Sequence, residues 1–168
     1  MSAAASITRE QVLAWLEDVK DPEVPVLSVV ELGVVRDVLL DEDRVTVEIT
    51  PTYSGCPALQ VMEEDIIAAL ATHGVHDVKV RIVFREAWTT AWMSDEAREK
   101  LRAYGIAPPL VSVNDDTTLV PLRRARIIAC PRCGSHRTVL KSEFGSTACK
   151  SIHACLECRE PFDHFKDL

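Results

Sequence analysis

Ile49-Thr50-Pro51-Thr52-Tyr53-Ser54-Gly55-Cys56-Pro57 decides the fold of this chain, because a strand pattern leads into it and a helix pattern leads out of it. Pro57 has a fixed φ and no amide hydrogen, which suits the first residue of a helix. That placement predicts Cys56 at the helix N-cap, where free amides and the helix dipole stabilise a thiolate. Two interpretations of Cys56 stay open here: an anionic metal ligand or nucleophile, or a small residue that ends a turn.

The residues on either side of this stretch predict a small α/β sheet. An alternating strand at 44–50 forms a hairpin with an apolar strand at 34–40. A helical apolar stripe follows the stretch and ends at Gly74, and 78–84 alternates as a third strand. Strand, helix, strand in this order predicts a βαβ unit beside the hairpin, with Cys56 just past the carboxyl end of a strand, where ligands bind in such sheets.

Two further helices flank this unit. Thr8 and Gln11 form a capping box ahead of an amphipathic helix at 9–20. Ser94 can cap a short helix that ends at Gly105. The sequence therefore predicts an α+β fold class, built on this small α/β sheet.

Trp88 and Trp92 lie in the loop that follows the third predicted strand. Two large aromatic side chains in a loop can form a flap over a site, a partner-binding patch or part of the core. The sequence favours core packing.

A linker is indicated between 106 and 121, where three prolines and an Asn-Asp-Asp cluster occur without periodicity. It predicts an α/β domain at 1–105 and a second domain at 122–168. Five of the six cysteines lie beyond residue 129, which agrees with two domains.

The charge distribution is asymmetric. Residues 1–121 carry 10 Lys and Arg against 21 Asp and Glu, a net of −11, whereas residues 122–168 carry a net of +4. An acidic body argues against general nucleic-acid binding. The N-terminus has no signal-peptide pattern, and no apolar run approaches the length of a membrane span, so we expect a cytoplasmic protein.

Two Cys-x-x-Cys pairs form the strongest motif in the sequence. They are Cys130 with Cys133 and Cys155 with Cys158. In a reducing compartment such pairs favour metal binding over disulfides. Four thiolates can close a tetrahedron around a structural Zn²⁺, which would help a domain of under fifty residues to fold; iron or an iron-sulfur cluster is the alternative.

Cys149 is an additional thiol between the two pairs, and His153 follows it by four residues. Cys149 can replace a ligand, pack in the core or form a separate reactive site, and buried packing is favoured. Neither residue belongs to a paired turn, so both rank below the four paired cysteines as metal ligands.

Four segments together resemble a known combination of domains. Asp21-Pro22-Glu23-Val24-Pro25 and the 50–57 stretch resemble the iron-sulfur assembly family that includes SufT-like proteins. Trp88-Thr-Thr-Ala-Trp92 and a ribbon ending Glu160-Pro-Phe-Asp-His-Phe165 narrow this to the PaaD family, whose members belong to the bacterial phenylacetyl-CoA epoxidase system. The resemblance runs from about Asp21 to Lys166.

The resemblance implies a non-catalytic accessory protein in phenylacetate catabolism that matures the iron or iron-sulfur centre of the oxygenase or its reductase. It implies that Cys56 is a transient metal or cluster ligand, with Asp21 and Glu23 nearby, and that no residue is catalytic. Two departures stand out: Ala91 occupies a position where relatives carry aspartate, and Asp167 one where relatives often carry cysteine.

Two other functions stay open. The chain can be a constitutive zinc-binding structural subunit of the oxygenase, or an enzyme that uses Cys56 as a nucleophile. The sequence offers no Cys/His signature, phosphate-binding glycine loop or Gly-x-Ser-x-Gly elbow for the enzyme. A homo-oligomer is compatible with the sequence.

Overall fold

The computed structural model describes residues 7–41, 44–53, 55–110 and 127–167. The chain divides into two compact units between Trp88 and Thr89. The sequence predicts the boundary in a linker at 106–121, most of which lies outside the described residues. The division observed lies upstream of that linker, so the helix capped by Ser94 belongs with the cysteine-rich end.

The part of the first unit that the structure describes contains a three-stranded sheet and two helices. Its elements are α1 (Arg9–Leu16), β1 (Val35–Asp41), β2 (Arg44–Ile49), α2 (Leu59–Thr72) and β3 (Val78–Ile82). The strand order is β1-β2-β3, with β1 antiparallel and β3 parallel to β2. The predicted hairpin and the parallel βαβ connection are both present.

Helix α1 begins as the sequence predicts but ends earlier. The side chain of Thr8 accepts a hydrogen bond from the amide of Gln11, and the Gln11 side chain accepts one from the amide of Thr8. The helix stops at Leu16 rather than continuing to Lys20, and Lys20 forms a β-bridge with Ser28.

The middle strand and α2 both contribute to the core of this unit. Strand β2 contributes the buried side chains of Val45, Val47 and Ile49, and α2 contributes Met62 and Ile66 among its buried residues. Full burial of each such side chain contributes about 1.5–3 kcal/mol relative to exposure. The apolar faces of strand and helix predicted from sequence are therefore the faces that are buried.

In its described residues, 89–110 and 127–167, the second unit contains a 3₁₀ turn, one helix and a four-stranded sheet. Its elements are Thr90–Trp92 (the 3₁₀ turn), α3 (Asp95–Tyr104), β4 (Ile106–Ala107), β5 (Thr138–Ser142), β6 (Lys150–Cys155) and β7 (Pro161–Phe165). The strand order is β4-β7-β6-β5, with β4 parallel to β7 and the other pairs antiparallel.

Helix α3 has both predicted ends. The Ser94 hydroxyl accepts a hydrogen bond from the amide of Ala97 at 3.1 Å, and Gly105 ends the helix with a φ of 97°. Ile106 and Ala107 do not belong to a linker, contrary to the sequence prediction. They form strand β4 and pair with Asp163 and His164 of β7.

Within the part of the chain described, no helix combines the length and apolar character required to cross a membrane.

Candidate functional site

Two turns of the same geometry hold the four paired cysteines. The amide of Cys130 donates to the carbonyl of Ser135, and the amide of Cys155 donates to the carbonyl of Glu160. Four residues after the first cysteine of each turn, the backbone has a positive φ: 73° at Gly134 and 62° at Arg159. Glycine adopts this conformation readily, whereas arginine does so at a cost. Each Cys-x-x-Cys pair thus lies on a tight turn that directs both thiols to the same side.

The four sulfurs come together as the sequence predicts. The Sγ atoms lie within 4.8 Å of one another, with 3.5 Å between Cys133 and Cys155 and 3.8 Å between Cys130 and Cys158. These separations are too long for a disulfide, which requires about 2.05 Å. They match the ~3.8 Å edge of a tetrahedron whose centre lies ~2.3 Å from each sulfur. The donor set therefore fits one tetrahedral thiolate-bound ion.

The electrostatics of the cluster favour a bound cation. Burial works to raise the pKa of the Cys155 thiol, but the amides of Cys158 and Glu157 donate to its sulfur and hold that pKa at about 6. The pKa of Cys158 is raised to about 12: the amide of Glu160 works to lower it, but burial and the neighbouring thiols outweigh that effect. Four sulfurs at this distance can ionise together only when a cation offsets their mutual repulsion.

The metal cluster rests on a small apolar core. Cys130 and Cys155 are buried together with Ala107, Ile128 and Phe162. The short strand β4 supplies Ala107 to this core, so the segment assigned to the linker supports the metal turns.

A buried polar network, which sequence reasoning missed, lies on the face of the second sheet that also carries Cys155. The hydroxyl of Ser151 is 3.2 Å from Nε2 of His153 and 3.4 Å from Nδ1 of His164. The strand register places Ser151 opposite His164 and His153 opposite Phe162, whose ring stacks on His153. Burial lowers the pKa of His164 to about 4. The alternation of Ser151 and His153 in β6 is the sequence pattern from which this network could have been predicted.

Cys149 and His153 lie outside the metal cluster. The Cys149 side chain is buried, and its sulfur lies 3.0 Å from the Thr147 hydroxyl. His153 directs Nε2 to Ser151. Core packing, the favoured interpretation of Cys149, agrees with these positions.

The loop that carries Cys56 begins at a fixed point. The amide of Thr50 donates to the carbonyl of Val34, and the Thr50 hydroxyl donates to the carbonyl of Val83 at 2.8 Å. Thr50 is buried. The start of the loop is therefore tied to the residue before β1 and to the residue after β3.

Cys56 does not occupy the predicted N-cap. Helix α2 begins at Leu59, and its N-cap is Ala58, whose side chain makes no capping bond. The amide of Cys56 donates to the carbonyl of Tyr53, so the chain completes one more turn before the helix starts. Pro57 lies in the next turn, which the amide of Leu59 closes by donating to the carbonyl of Cys56, and not at the first helical position. Cys56 is half-buried, two residues before the cap, where the effect of the helix dipole is weaker.

Asp21 has a structural role in its own turn. Its Oδ1 accepts hydrogen bonds from the amides of Glu23 at 2.8 Å and Val24 at 2.7 Å, and the side chain is buried. Glu23 is half-buried beside it. Sequence reasoning predicted that these carboxylates are polar neighbours of Cys56. It did not predict that Asp21 holds a turn of its own segment.

Among the described residues, the four paired cysteines are the one group of three or more Cys, His, Asp or Glu donors that lie within 4.8 Å of one another. Cys56, Asp21 and Glu23 thus do not form a preassembled three-donor site within those residues.

Trp88 is part of the core of the first unit. Its side chain is buried, and Nε1 donates to the carbonyl of Leu32 at 3.0 Å. Trp92 lies in the 3₁₀ turn of the second unit and is half-buried. Core packing, which the sequence favoured, is confirmed for Trp88.

Glu48 is a buried carboxylate that the sequence pattern did not single out. It lies on β2 with 1% of its surface exposed, and its Oε1 accepts hydrogen bonds from Arg81 and Arg85. Its Oε2 is buried and has no hydrogen-bond partner among the described residues. The strand alternation predicted an outward-facing residue, and the two arginines make its burial tolerable.

Comparison with known proteins decides the family. The chain is 46% identical over 156 residues to a protein of Escherichia coli K12 whose name describes it as a putative component of 1,2-phenylacetyl-CoA epoxidase, and the match covers 93% of this chain and 91% of that protein. The chain belongs to the PaaD family. Residues 114–166 match the PaaD zinc beta ribbon domain, and residues 9–82 match the family described as iron-sulfur cluster assembly protein.

Relatives of the first domain alone agree with this division of the PaaD chain. A Bacillus subtilis protein named Fe-S protein maturation auxiliary factor YitW is 39% identical over 92 residues, which cover 54% of this chain and 89% of that protein. A crystal structure of a domain of unknown function from Bacillus anthracis superposes with a TM-score of 0.52 at 32% identity, covering 55% of this chain and 90% of that one. The PaaD chain is therefore an iron-sulfur assembly domain followed by a zinc ribbon.

Proposed function

We propose that this protein is a non-catalytic accessory subunit of a phenylacetyl-CoA epoxidase, and that it assists assembly of an iron or iron-sulfur centre in the oxygenase or its reductase. Two similarities support this role: that to the epoxidase component of Escherichia coli along nearly the whole chain, and that to a maturation auxiliary factor over the first domain. The proposal places the protein in the cytoplasm, with the oxygenase components or their reductase as partners.

The four paired cysteines hold a structural zinc ion in this proposal. The supporting observation is the sulfur arrangement, which a single tetrahedral ion fills and which leaves no open coordination position for a substrate. Zinc bound there stabilises the ribbon and takes no part in transfer.

Cys56 is the transient ligand for iron or a cluster. One observation carries this assignment: of the six cysteines, four belong to the closed cluster and Cys149 is buried, whereas Cys56 is half-exposed in a loop at the carboxyl end of β2. Cysteine thiolates are the usual ligands of iron-sulfur clusters. A half-exposed ligand on a loop suits a site that binds and releases its cargo.

Asp21 and Glu23 are secondary candidates for this transient site. Because Asp21 already accepts two amide hydrogen bonds through Oδ1, its first role is to hold the turn. This structural role of Asp21 also favours the alternative that the protein is a constitutive structural subunit, which binds zinc and transfers nothing. A Cys56-dependent thiol enzyme has less support, because the sequence offers no Cys/His signature, phosphate-binding glycine loop or Gly-x-Ser-x-Gly elbow.

Anaerobic co-expression with the oxygenase components tests the transfer role. We expect the purified wild-type protein to carry iron in excess of its zinc-site content, and Cys56→Ser to lose that iron while it keeps its zinc. Cys149→Ala is the matched control and retains both metals. Equal iron on the wild type and on Cys56→Ser would refute the role of Cys56 and leave the structural-subunit alternative.

A further inference from the structure

Strand β3 is an edge of the first sheet in the part of the chain described. The amide of Val83 donates to the carbonyl of Ile49, and the carbonyl of Asp77 accepts from the amide of Val45, so Asp77 and Val83 direct these main-chain groups toward β2. Main-chain groups alternate in direction along a strand. The amides and carbonyls of the even-numbered residues, 78, 80 and 82, therefore point away from β2.

The side chains along this edge combine positive charge with apolar surface. Lys79 and Arg81 are exposed, and they alternate with Ile82, which is 41% exposed, and Phe84, which is 67% exposed. The region from 79 to 85 holds three of the seven Lys and Arg residues of 1–88, a segment that has sixteen Asp and Glu. Positive charge is thus concentrated at one edge of an acidic unit.

Glu48 neutralises only part of this charge. Its single carboxylate accepts hydrogen bonds from both Arg81 and Arg85, while the side chains of those arginines remain 47% and 67% exposed. Two guanidinium groups and Lys79 therefore face solvent around one buried carboxylate, which leaves a net positive surface.

We propose that the β3 edge, residues 78–85, is a docking surface for an extended, acidic segment of a partner protein. The partner adds a strand to the sheet through the outward main-chain groups of residues 78, 80 and 82. Its carboxylates pair with Lys79, Arg81 and Arg85, and its apolar side chains cover Ile82 and Phe84. Main-chain hydrogen bonds supply affinity, and charge supplies selectivity.

A second copy of this chain fits the same edge poorly. In an antiparallel pairing of two β3 strands about Val80, Lys79 of one copy lies opposite Arg81 of the other. Like charges directly opposite one another destabilise a strand pair. The edge therefore selects a partner of opposite charge, and this selection does not depend on metal transfer by Cys56.

The test uses the full-length, zinc-loaded protein and a labelled peptide of about ten residues that alternates glutamate with valine. Fluorescence anisotropy should show saturable binding that weakens as salt is raised, and the same peptide with lysine in place of glutamate should bind much more weakly. Amide NMR shifts on binding should be confined to 78–85, with new solvent protection at Val78, Val80 and Ile82.

Two variant pairs separate the main-chain and charge contributions. Ile82→Pro removes an outward amide without removing a bond to β2 and should abolish binding, whereas Ile82→Val retains the amide and should bind as the wild type does. Lys79→Glu should weaken binding about threefold, and Lys141→Glu, the same charge change on exposed β5, should have no effect. Equal binding of the lysine peptide, shifts outside 78–85 or an unaffected Lys79→Glu variant would each overturn the proposal.

Discussion

The hydroxyl of Thr50 donates a hydrogen bond to the backbone carbonyl of Val83 at 2.8 Å, across the carboxyl ends of two parallel strands. Thr50 is the first residue after β2, and Val83 is the first after β3. The bond fixes the point from which the loop to Cys56 departs. The position of the candidate ligand thus depends on a polar contact at the end of the sheet.

Replacing Thr50 with valine should destabilise the first unit by about 1 kcal/mol, because it keeps the shape but leaves the Val83 carbonyl without its partner. Thr50→Ser keeps the hydroxyl and should cost less. Urea unfolding measures the stability, and the rate of Cys56 alkylation reports loop exposure, which we expect to rise in the valine variant alone. Equal stability and equal alkylation in the two variants would contradict this account of the loop.

Asp21 offers a way to separate a structural carboxylate from a metal ligand. Asp21→Asn keeps an oxygen that accepts from the amides of Glu23 and Val24, so thermal unfolding should change little, whereas Asp21→Ala should cost about 2 kcal/mol. If Asp21 also binds the transferred metal, the asparagine variant should fold normally and yet carry less iron after anaerobic co-expression. Normal iron on a well-folded asparagine variant would restrict Asp21 to its turn.

The metal turns should respond to the loss of a single thiol. Cys130→Ser removes one of four ligands, and we expect metal analysis to fall from about one zinc per chain to well below that. The amide NMR spectrum should lose its dispersed signals from 127–167 at the same time. Cys149→Ala should keep the zinc, and a metal content unchanged in Cys130→Ser would contradict the four-cysteine assignment.

His164 should make the second unit sensitive to acid. Burial lowers its pKa to about 4, with a smaller opposing effect of Asp167 and a smaller supporting effect of His153. The unfolded chain takes up this proton near pH ~6.5 and the folded chain does so near ~4. The stability associated with the neutral ring is therefore complete above about pH 6.5 and is lost as the pH falls toward about 4.

The variant His164→Asn isolates this contribution, because asparagine can still reach Ser151 and does not titrate. Between about pH 7 and pH 4.5 the wild type should lose on the order of 2 kcal/mol more stability than the variant. Protonation of the zinc ligands affects both proteins alike, so the difference between the two unfolding curves reports His164. Parallel curves would show that the ring does not carry the effect.

Local patterns predicted most of the fold. The capping box at Thr8 and Gln11, the Ser94 cap and the Gly105 stop are interactions between residues a few positions apart in one segment, and the sequence displays them directly. The cysteine pairs are equally explicit, because their spacing encodes the turn that holds them.

Features that depend on distant partners were missed. The buried carboxylate of Glu48 is paired with Arg81 and Arg85, which lie more than thirty residues later in the sequence, after α2. No local pattern around Glu48 shows this pairing. Strand β4 has two residues, too few for an alternation, and exists because β7 pairs with it. Cys56 misses the predicted N-cap because an extra turn from Tyr53 delays the helix to Leu59, which Pro57 alone does not reveal.

The central claim is that Cys56 transfers metal or a cluster, while the paired cysteines only hold the ribbon together. The most direct measurement is phenylacetyl-CoA epoxidase activity after co-expression of the oxygenase components with either the wild-type protein or Cys56→Ser. Our account predicts that the serine variant folds, keeps its zinc and fails to activate the oxygenase. Full epoxidase activity with a folded, zinc-loaded Cys56→Ser protein would contradict it.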